Sequence, residues 1–191
     1  NMGITFAKTG AKVLLIDADM RKPTIHKYLN TSAKPGLSDK LGGMVGDELC
    51  VYRTDYENLF VMPSGSLPPN PTERLMSDLM DNMLETLSSL FDYIFIDTPP
   101  VGLVTDASII SAKTAGALIV LKGGETRSEY VVEIMKAFKS SGAKVIGCIL
   151  NAFEKGNGSY SRYNYKSYGK GSKNRRYEYE YSYLEIQNDD K

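Results

Sequence analysis

Four short runs of uninterrupted apolar residues constrain the fold of this chain more than any other feature: KVLLID at 12–17, YIFID at 93–97, ALIVL at 117–121 and KVIGCIL at 144–150. Strands with one wet face alternate apolar and polar residues. Continuous runs of this length predict strands covered on both faces, which is the pattern of a parallel sheet. LFVM at 59–62 is a weaker fifth candidate. Helical patterns lie between the runs, so the expected fold class is α/β, a mostly parallel sheet flanked by helices.

The clearest helix signal begins at Asn70. Asn70-Pro71-Thr72-Glu73 offers an N-cap, a proline at the first helical position and a capping-box glutamate. Leu75, Leu79, Met83 and Leu87 then recur at i+4 with Met76, Met80 and Leu84 beside them, and the methionines read as core filler. A second helix is predicted over 128–140, with Val131, Val132, Met135 and Phe138 on its apolar face. The glycine-rich stretch 35–46 reads as a loop. Residues 1–8 (NMGITFAK) read as the later turns of a helix leading through Thr9-Gly10 into the first strand. A domain rarely opens in mid-helix, so part of this one is expected to lie ahead of Asn1. Lone His26 reads as a surface residue of the helix after Pro23, with no catalytic role.

The chain has 191 residues, enough for one domain of about 150 plus an appendage. The expected division is a compact domain at 1–153 and a flexible tail at 154–191. With 23 basic and 23 acidic residues, net charge draws the chain to neither nucleic acid nor membrane. Cys50 and Cys148 form no disulfide framework and fit a reducing compartment. No apolar stretch reaches the roughly 18–20 residues that span a bilayer. Any membrane association is therefore expected to run through a partner.

The tail holds Tyr160, Tyr163, Tyr165, Tyr168, Tyr177, Tyr179, Tyr181 and Tyr183 among Gly, Ser, Asn, Lys and Arg, a composition without a core of its own. A ring left in water forgoes roughly 1.5–3 kcal/mol of burial free energy. So many exposed rings imply that the hydroxyls serve chemistry or binding, and phosphorylation is the obvious chemistry. Charge is segregated: every charge from 160 to 176 is basic, and every charge from 177 to 190 is acidic. YEYEYSY at 177–183 alternates like a strand and is suited to pair with a sheet edge.

Asp17 and Asp19 close the first strand two residues apart, and Asp97 closes another. If extended geometry persists, Asp17 and Asp19 point to one side. Open parallel sheets bind ligands outside the carboxyl ends of their strands. Three carboxylates there suit Mg²⁺, a hard cation commonly shared with substrate phosphates. The alternative is that these aspartates only end strands and cap helices, which serves for one of them better than for all three.

LLIDADMRKP at 14–23 resembles the Walker A′ motif of the bacterial tyrosine kinases of capsule and exopolysaccharide systems, and YIFIDTPP at 93–100 resembles their Walker B strand. Asp106-Ala107 matches the downstream Asp-Ala of that family, and SGSLPPNP at 64–71 its Gly/Pro segment before a helix. GCILN at 147–151 resembles the strand end whose asparagine contacts the base in related deviant Walker ATPases. The tyrosine tail resembles the family's autophosphorylation cluster. The resemblance implies a P-loop NTPase-like, MinD-like fold. It also implies an ATP- and Mg²⁺-dependent protein-tyrosine autokinase regulating capsular or exopolysaccharide biosynthesis. Asp17 would organise Mg²⁺ and activate the attacking hydroxyl, Asp97 would hold Mg²⁺, Asp19 would support the site, and Asn151 would bind the nucleotide. The eight tail tyrosines would be the phosphoacceptors. Arg21 and Lys22 would neutralise phosphate charge or meet a partner's acidic surface, unless they form only a solvated basic turn. The family also implies a homo-oligomer with tail phosphorylation between subunits. Its partner would be a transmembrane activator of the polysaccharide co-polymerase type, placing the cytoplasmic kinase at the inner face of the plasma membrane.

One departure is large. The Walker A loop GxxxxGK[ST] is absent, and Gly169-Lys170-Gly171-Ser172 lacks its spacing. Backbone N–H groups and the lysine of that loop cradle phosphates. The 191 residues alone are therefore expected neither to bind ATP tightly nor to transfer phosphate. The main rival is a ParA/MinD-like ATPase that switches partners without phosphorylating protein, and the tail disfavours it. A nucleic-acid module is disfavoured by the acidic half of the tail, despite tyrosines interleaved with basic residues. A tail that serves only as a solubilising linker is the blandest alternative. Ser64 and Ser66 lack a His/Asp partnership for a serine hydrolase.

Overall fold

The computed structural model describes residues 1–46, 50–102 and 105–152. The eight tail tyrosines lie outside the described residues. Helix α1 (Met2–Ala7) leads into strand β1 (Val13–Asp17), followed by helices α2 (Ile25–Tyr28) and α3 (Leu37–Leu41). Strands β2 (Tyr52–Arg53) and β3 (Leu59–Met62) precede helices α4 (Pro71–Met76) and α5 (Asp78–Ser88). Strand β4 (Tyr93–Asp97), helix α6 (Asp106–Ala112), strand β5 (Ala117–Lys122), helix α7 (Ser128–Ser140) and strand β6 (Val145–Asn151) complete the order. The five predicted strands and the first-turn helix form where the apolar runs placed them, and the class is α/β with parallel pairing.

Two sheets form rather than one. The first has the order β2-β3-β1-β4, with β1 parallel to both β3 and β4 and only the short β2 antiparallel. The second is the parallel pair β5-β6. Strand β1 is central and covered on both faces, as its composition demands. Leu14 and Ile16 face a core built with Leu37, Met62, Leu75, Met80 and Leu87, while Val13 faces Ala7, Ile25, Leu59 and Val61 on the other side. Each such fully buried side chain contributes about 1.5–3 kcal/mol relative to exposure. A third cluster joins Ala107, Ile119, Ile134 and Phe138 beneath α7.

Three local expectations fail for identifiable reasons. The stretch 35–46 contains α3, held because Asp39 accepts the Gly36 N–H at 2.9 Å and the Ser66 N–H at 3.1 Å. The helix starting after Asn70 is two helices. Ser77 is extended (ψ 154°) and caps α5, so the apolar stripe slips by one residue across the break. Leu75, Met80, Met83 and Leu87 are buried, whereas Leu79 is exposed. At its start, Asn70 donates from Nδ2 to Glu73 Oε2 at 2.5 Å instead of capping a backbone N–H.

Helix α7 spans the predicted residues, but its buried face carries Ile134 and Phe138, leaving Val132 and Met135 exposed. The expectation that all the apolar runs are covered on both faces also fails for β5 and β6. Leu118, Val120, Ile146 and Leu150 are exposed, and so is Cys148. His26 is half-buried rather than a free surface residue, with Nδ1 enclosed and unbonded among the described residues.

Candidate active site

Strands β1 and β4 run parallel in a register that pairs Asp17 with Asp97, so two carboxylates meet at the carboxyl end of the first sheet. Asp17 is 1% exposed. Its Oδ1 accepts the Asp19 N–H at 3.2 Å, and its Oδ2 accepts those of Thr24 and Ile25, each at 3.1 Å. The chain thus wraps around this carboxylate as it turns from β1 into α2. Burial pushes the Asp17 carboxyl up to about 6, against the pull of the Ile25 N–H, and the neighbouring charge of Asp97 adds to the rise. Such environments, in which lost solvent and a like charge act together, are typical of functional carboxylates.

Asp97 is raised as well, first by lost solvation and then by the charge of Asp19. Asp97 is exposed despite this desolvation, and among the described residues no hydrogen bond to its carboxylate is formed. Asp19 lies beyond the end of β1, so the extended geometry that would align it with Asp17 does not persist. Its Oδ1 turns forward to accept the N–H groups of Arg21 at 3.0 Å and Lys22 at 2.9 Å. Asp17, Asp19 and Asp97 thus converge electrostatically. Among the described residues, however, no group of three or more metal-ligating side chains stands ready to hold an ion.

Behind the strand ends sits a residue flagged in the sequence only by a motif match. Asp106, at the first turn of α6, is buried; it accepts the Thr72 hydroxyl at 2.7 Å and faces Arg21 Nε at 3.5 Å. Arg21 is thereby drawn towards Asp106, with its side chain 14% exposed. The SGSLPPNP stretch packs against α3. Leu37 and Ser38 donate to the carbonyls of Pro63 and Ser64, both at 2.8 Å. Gly65 (φ 87°) lies where a Cβ would come within 2.4 Å of Asp39 Oδ2. Burial alone pushes the Asp39 carboxyl up, but the hydrogen bonds from Ser66 and Gly36 outweigh it and hold it below the usual range. A short side-chain bond also joins Ser38 to the Ser66 carbonyl. These contacts need a small residue, an acid and a serine at set spacings, a signal visible in sequence only once the packing is known.

Asn151 ends β6, where its Oδ1 accepts the Ala152 N–H at 2.9 Å and its backbone pairs with Lys122. No described contact brings it to the Asp17–Asp97 pair. The oxygen-only donor set at the strand ends fits a hard divalent cation, and the open Asp97 carboxylate is the group available to one.

Residues 1–122 match the family model described as an AAA domain. The chain is 37% identical to the tyrosine-protein kinase CpsD of Streptococcus agalactiae over 92% of its own length and 76% of that protein. It is also 37% identical to the tyrosine-protein kinase ptk of Acinetobacter johnsonii, over 84% of its length but only 22% of that larger protein. Among solved structures it is similar to the chimerical protein CapA2B2 (TM-score 0.77, 35% identity, 81% of this chain and 69% of that one). It is similar also to the kinase domain of the Escherichia coli tyrosine kinase ETK (TM-score 0.78, 30% identity, 84% and 64%). The cell division ATPase MinD of Pyrococcus furiosus shares the fold alone, at 23% identity and a TM-score of 0.68 over 82% of this chain and 65% of that one. With a parallel strand core, two acids paired at its strand ends and relatives of this identity and coverage in agreement, the chain belongs to the family of bacterial tyrosine-protein kinases.

Proposed function

We propose that this chain forms most of the catalytic domain of a protein-tyrosine autokinase, which moves the γ-phosphoryl group of ATP to tyrosine hydroxyls of its own tail. The observation that carries this reading is the Asp17–Asp97 pair: two carboxyls in adjacent register, both raised first by lost solvation and then by a neighbouring carboxylate, Asp97 for Asp17 and Asp19 for Asp97. Asp97, an exposed residue, together with Asp17 would hold Mg²⁺, which when bound neutralises phosphate charge. Asp19 supports the turn that carries Arg21 and Lys22. A carboxyl with a pKa of about 6 is suited to take a proton from a tyrosine hydroxyl near neutral pH. Asp17 faces inward, so this role requires the 18–24 turn to open far enough for a hydroxyl to approach. Asn151 is the proposed base-contacting residue, and Tyr160, Tyr163, Tyr165, Tyr168, Tyr177, Tyr179, Tyr181 and Tyr183 the proposed acceptors.

A Walker A loop carried ahead of Asn1 on a longer polypeptide completes this reading. Supporting it, β4 and β5 each have a free edge among the described residues, and their two sheets share no ladder. The proposed setting is an oligomer in which tails serve neighbouring subunits, held at the inner membrane face by a transmembrane partner and acting in capsular or exopolysaccharide synthesis. No helix among the described residues is long and apolar enough to cross a membrane, which is compatible with that partner. The test is to incubate the longer polypeptide with ATP and Mg²⁺ and map phosphotyrosine by mass spectrometry. Phosphate on the tail tyrosines is the expected result; ATP hydrolysis without phosphotyrosine would favour a partner-switching ATPase. Micromolar ATP binding by the 191-residue chain in calorimetry would overturn the requirement for the loop.

A further inference from the structure

Strand β6 borders the second sheet without the side chains that usually guard a free edge. Among the described residues it pairs only with β5. Its seven residues, Val145–Asn151, carry no charge and no proline, although edges open to water are commonly blunted by one or the other. Register with Ile119 and Leu121 puts Cys148 and Leu150 on the face that carries α7. Both nevertheless stay exposed, Leu150 by 54%. Beside them α7 exposes Val132 and Met135, which line a groove with Lys136, Lys139 and Val145. Among the described residues none from β5 lines it, so the groove opens along the β6 edge.

This margin is complementary to itself, which is what a two-fold contact between identical chains requires. On α7, Glu129, Val132 and Lys136 are exposed and spaced i, i+3 and i+7, so they share one helix face with an acid at one end and a base at the other. Two such faces running antiparallel bring Glu129 of each copy to Lys136 of the other around a central Val132. Antiparallel pairing of β6 with a second β6 engages all seven residues when Cys148 lies opposite its own counterpart. Leu150 of one copy then falls opposite Ile146 of the other, and both are exposed in the single chain. We propose that this edge is a dimerisation surface: a second copy of the chain docks antiparallel along β6, with Cys148 at the two-fold axis. Main-chain pairing supplies affinity in strand addition, and the side chains supply register.

One axis serves strand and helix together. Helix α7 returns into β6 through residues 141–144, so Lys139 stands near Val145 at the start of the strand. From Lys139 to Val132 is about 10 Å along a helix, and from Val145 to Cys148 about 10 Å along a strand. Val132 and Cys148, the two symmetric points, therefore lie at the same level. The register shift in the β5–β6 ladder falls at Ala117/Leu118, which leaves the ladder regular from Gly147 onward, around the axis. In the joined sheet both α7 helices lie on one face, two to three strand spacings or about 10–14 Å apart. Side chains as long as Met135 and Lys136 reach across that gap from both sides, over a floor of Cys148 and Leu150.

The contact uses neither the strand-end acids nor the tail, so it stands apart from the kinase reading and is tested without nucleotide. Sedimentation of the 191-residue chain under reducing conditions should show a monomer–dimer equilibrium. Glu129→Lys or Lys136→Glu, both at exposed positions, should weaken it about tenfold, and the two together should restore it to within about threefold. Oxygen with a copper–phenanthroline catalyst should then join Cys148 of the two copies, two thiols giving up two protons and two electrons to form one disulfide. Directly opposite residues lie about 4.5–5.5 Å apart, within disulfide range. Cys148→Ser should abolish the link, since Cys50 is buried. A Cys148→Ser, Leu150→Cys variant sets each thiol about 13 Å along the strand from its counterpart and should crosslink at least about tenfold more slowly. A chain that stays monomeric up to about 100 μM would overturn the proposal. So would a dimer indifferent to both charge reversals, which would place the contact on another surface. Equal crosslinking at positions 148 and 150 would overturn it too, by marking random collision.

Discussion

The two sheets are made of the same kind of residue and end in opposite conditions. Strand β1, at the centre of the first sheet, leaves Val13, Leu14 and Ile16 with no exposure, because helices cover both faces and a strand flanks each edge. Strands β5 and β6 are equally apolar, yet only the face under α7 is covered, where Ile119 meets Ile134 and Phe138. The lesson is that an apolar run reports the burial a strand is built for, whereas the neighbours supplied decide the burial it receives. A strand pair this apolar with one face open marks a surface meant to be covered.

The sharpest way to break this contrast is to truncate matched residues in the two sheets. Ile16→Ala should cost about 2–5 kcal/mol, since it removes packed atoms and leaves a cavity between strand and helices. Leu150→Ala should cost within about 0.5 kcal/mol if this half-exposed side chain stays open to water. Denaturant unfolding of both variants measures the difference. Comparable losses would mean that the second sheet is covered in solution after all.

The next effect concerns the strand-end acid. Asp17→Ala orphans the N–H groups of Asp19, Thr24 and Ile25, and the last of these residues is buried. The expected loss is about 1–3 kcal/mol, moderated by release of a poorly solvated charge. Weakening should be local to the turn from β1 into α2, so amide exchange of residues 24–29 should accelerate while β5 and β6 do not change. A uniform acceleration across both sheets would show that the two are coupled more tightly than their separate ladders imply.

How much of this was legible in the chain can be argued from the same residues. Strand positions were, because runs such as KVLLID leave no polar face to expose. The pairing of Asp17 with Asp97 was partly legible, since both close apolar runs, but register is a property of two strands together. The break at Ser77 was not. Leu75, Leu79, Met83 and Leu87 make a sound helical stripe, and only tertiary packing selects Met80 over Leu79. The same holds for α7, where Val132 and Met135 fit an apolar face yet the sheet chose Ile134 and Phe138. The contact of Arg21 with Asp106 was not legible either, because the motif that carries Arg21 is local and Asp106 comes from a distant helix.

A smaller effect tests the electrostatics of the first sheet. The folded-state pKa of Asp17 is raised from 3.8 to about 6. Its ionised form is therefore disfavoured by folding, and the penalty is present in full above the folded pKa. It is relieved as pH falls through about 6, because the folded state then binds the proton more readily than the unfolded one. Lowering pH from about 7 to about 5 should thus add roughly 1–1.5 kcal/mol from this group, with Asp97 acting in the same direction. Urea midpoints across that range should rise for the unmodified chain and flatten in Asp17→Asn. A midpoint that falls over the same interval would remove Asp17 as a strained acid.

The smallest effects compare two surface ion pairs, one in each region. Lys113 bridges both carboxylate oxygens of Asp81 at 2.6 Å, tying α6 to α5, and its side chain is 19% exposed. Lys122 meets Glu125 at 2.9 Å in the turn after β5, with both side chains more than half exposed. Long exposed side chains lose conformational freedom when paired and are screened by salt, which leaves little net gain. The Lys113 pair joins distant parts of the chain and is partly shielded, so Lys113→Ala should cost about 0.5–1 kcal/mol at low salt. Lys122→Ala should cost nothing measurable, because its pair only closes a local turn. A larger loss at Lys122 than at Lys113 would place an ordered neighbour over the end of β5, on the side of the molecule where the bare strands already call for one.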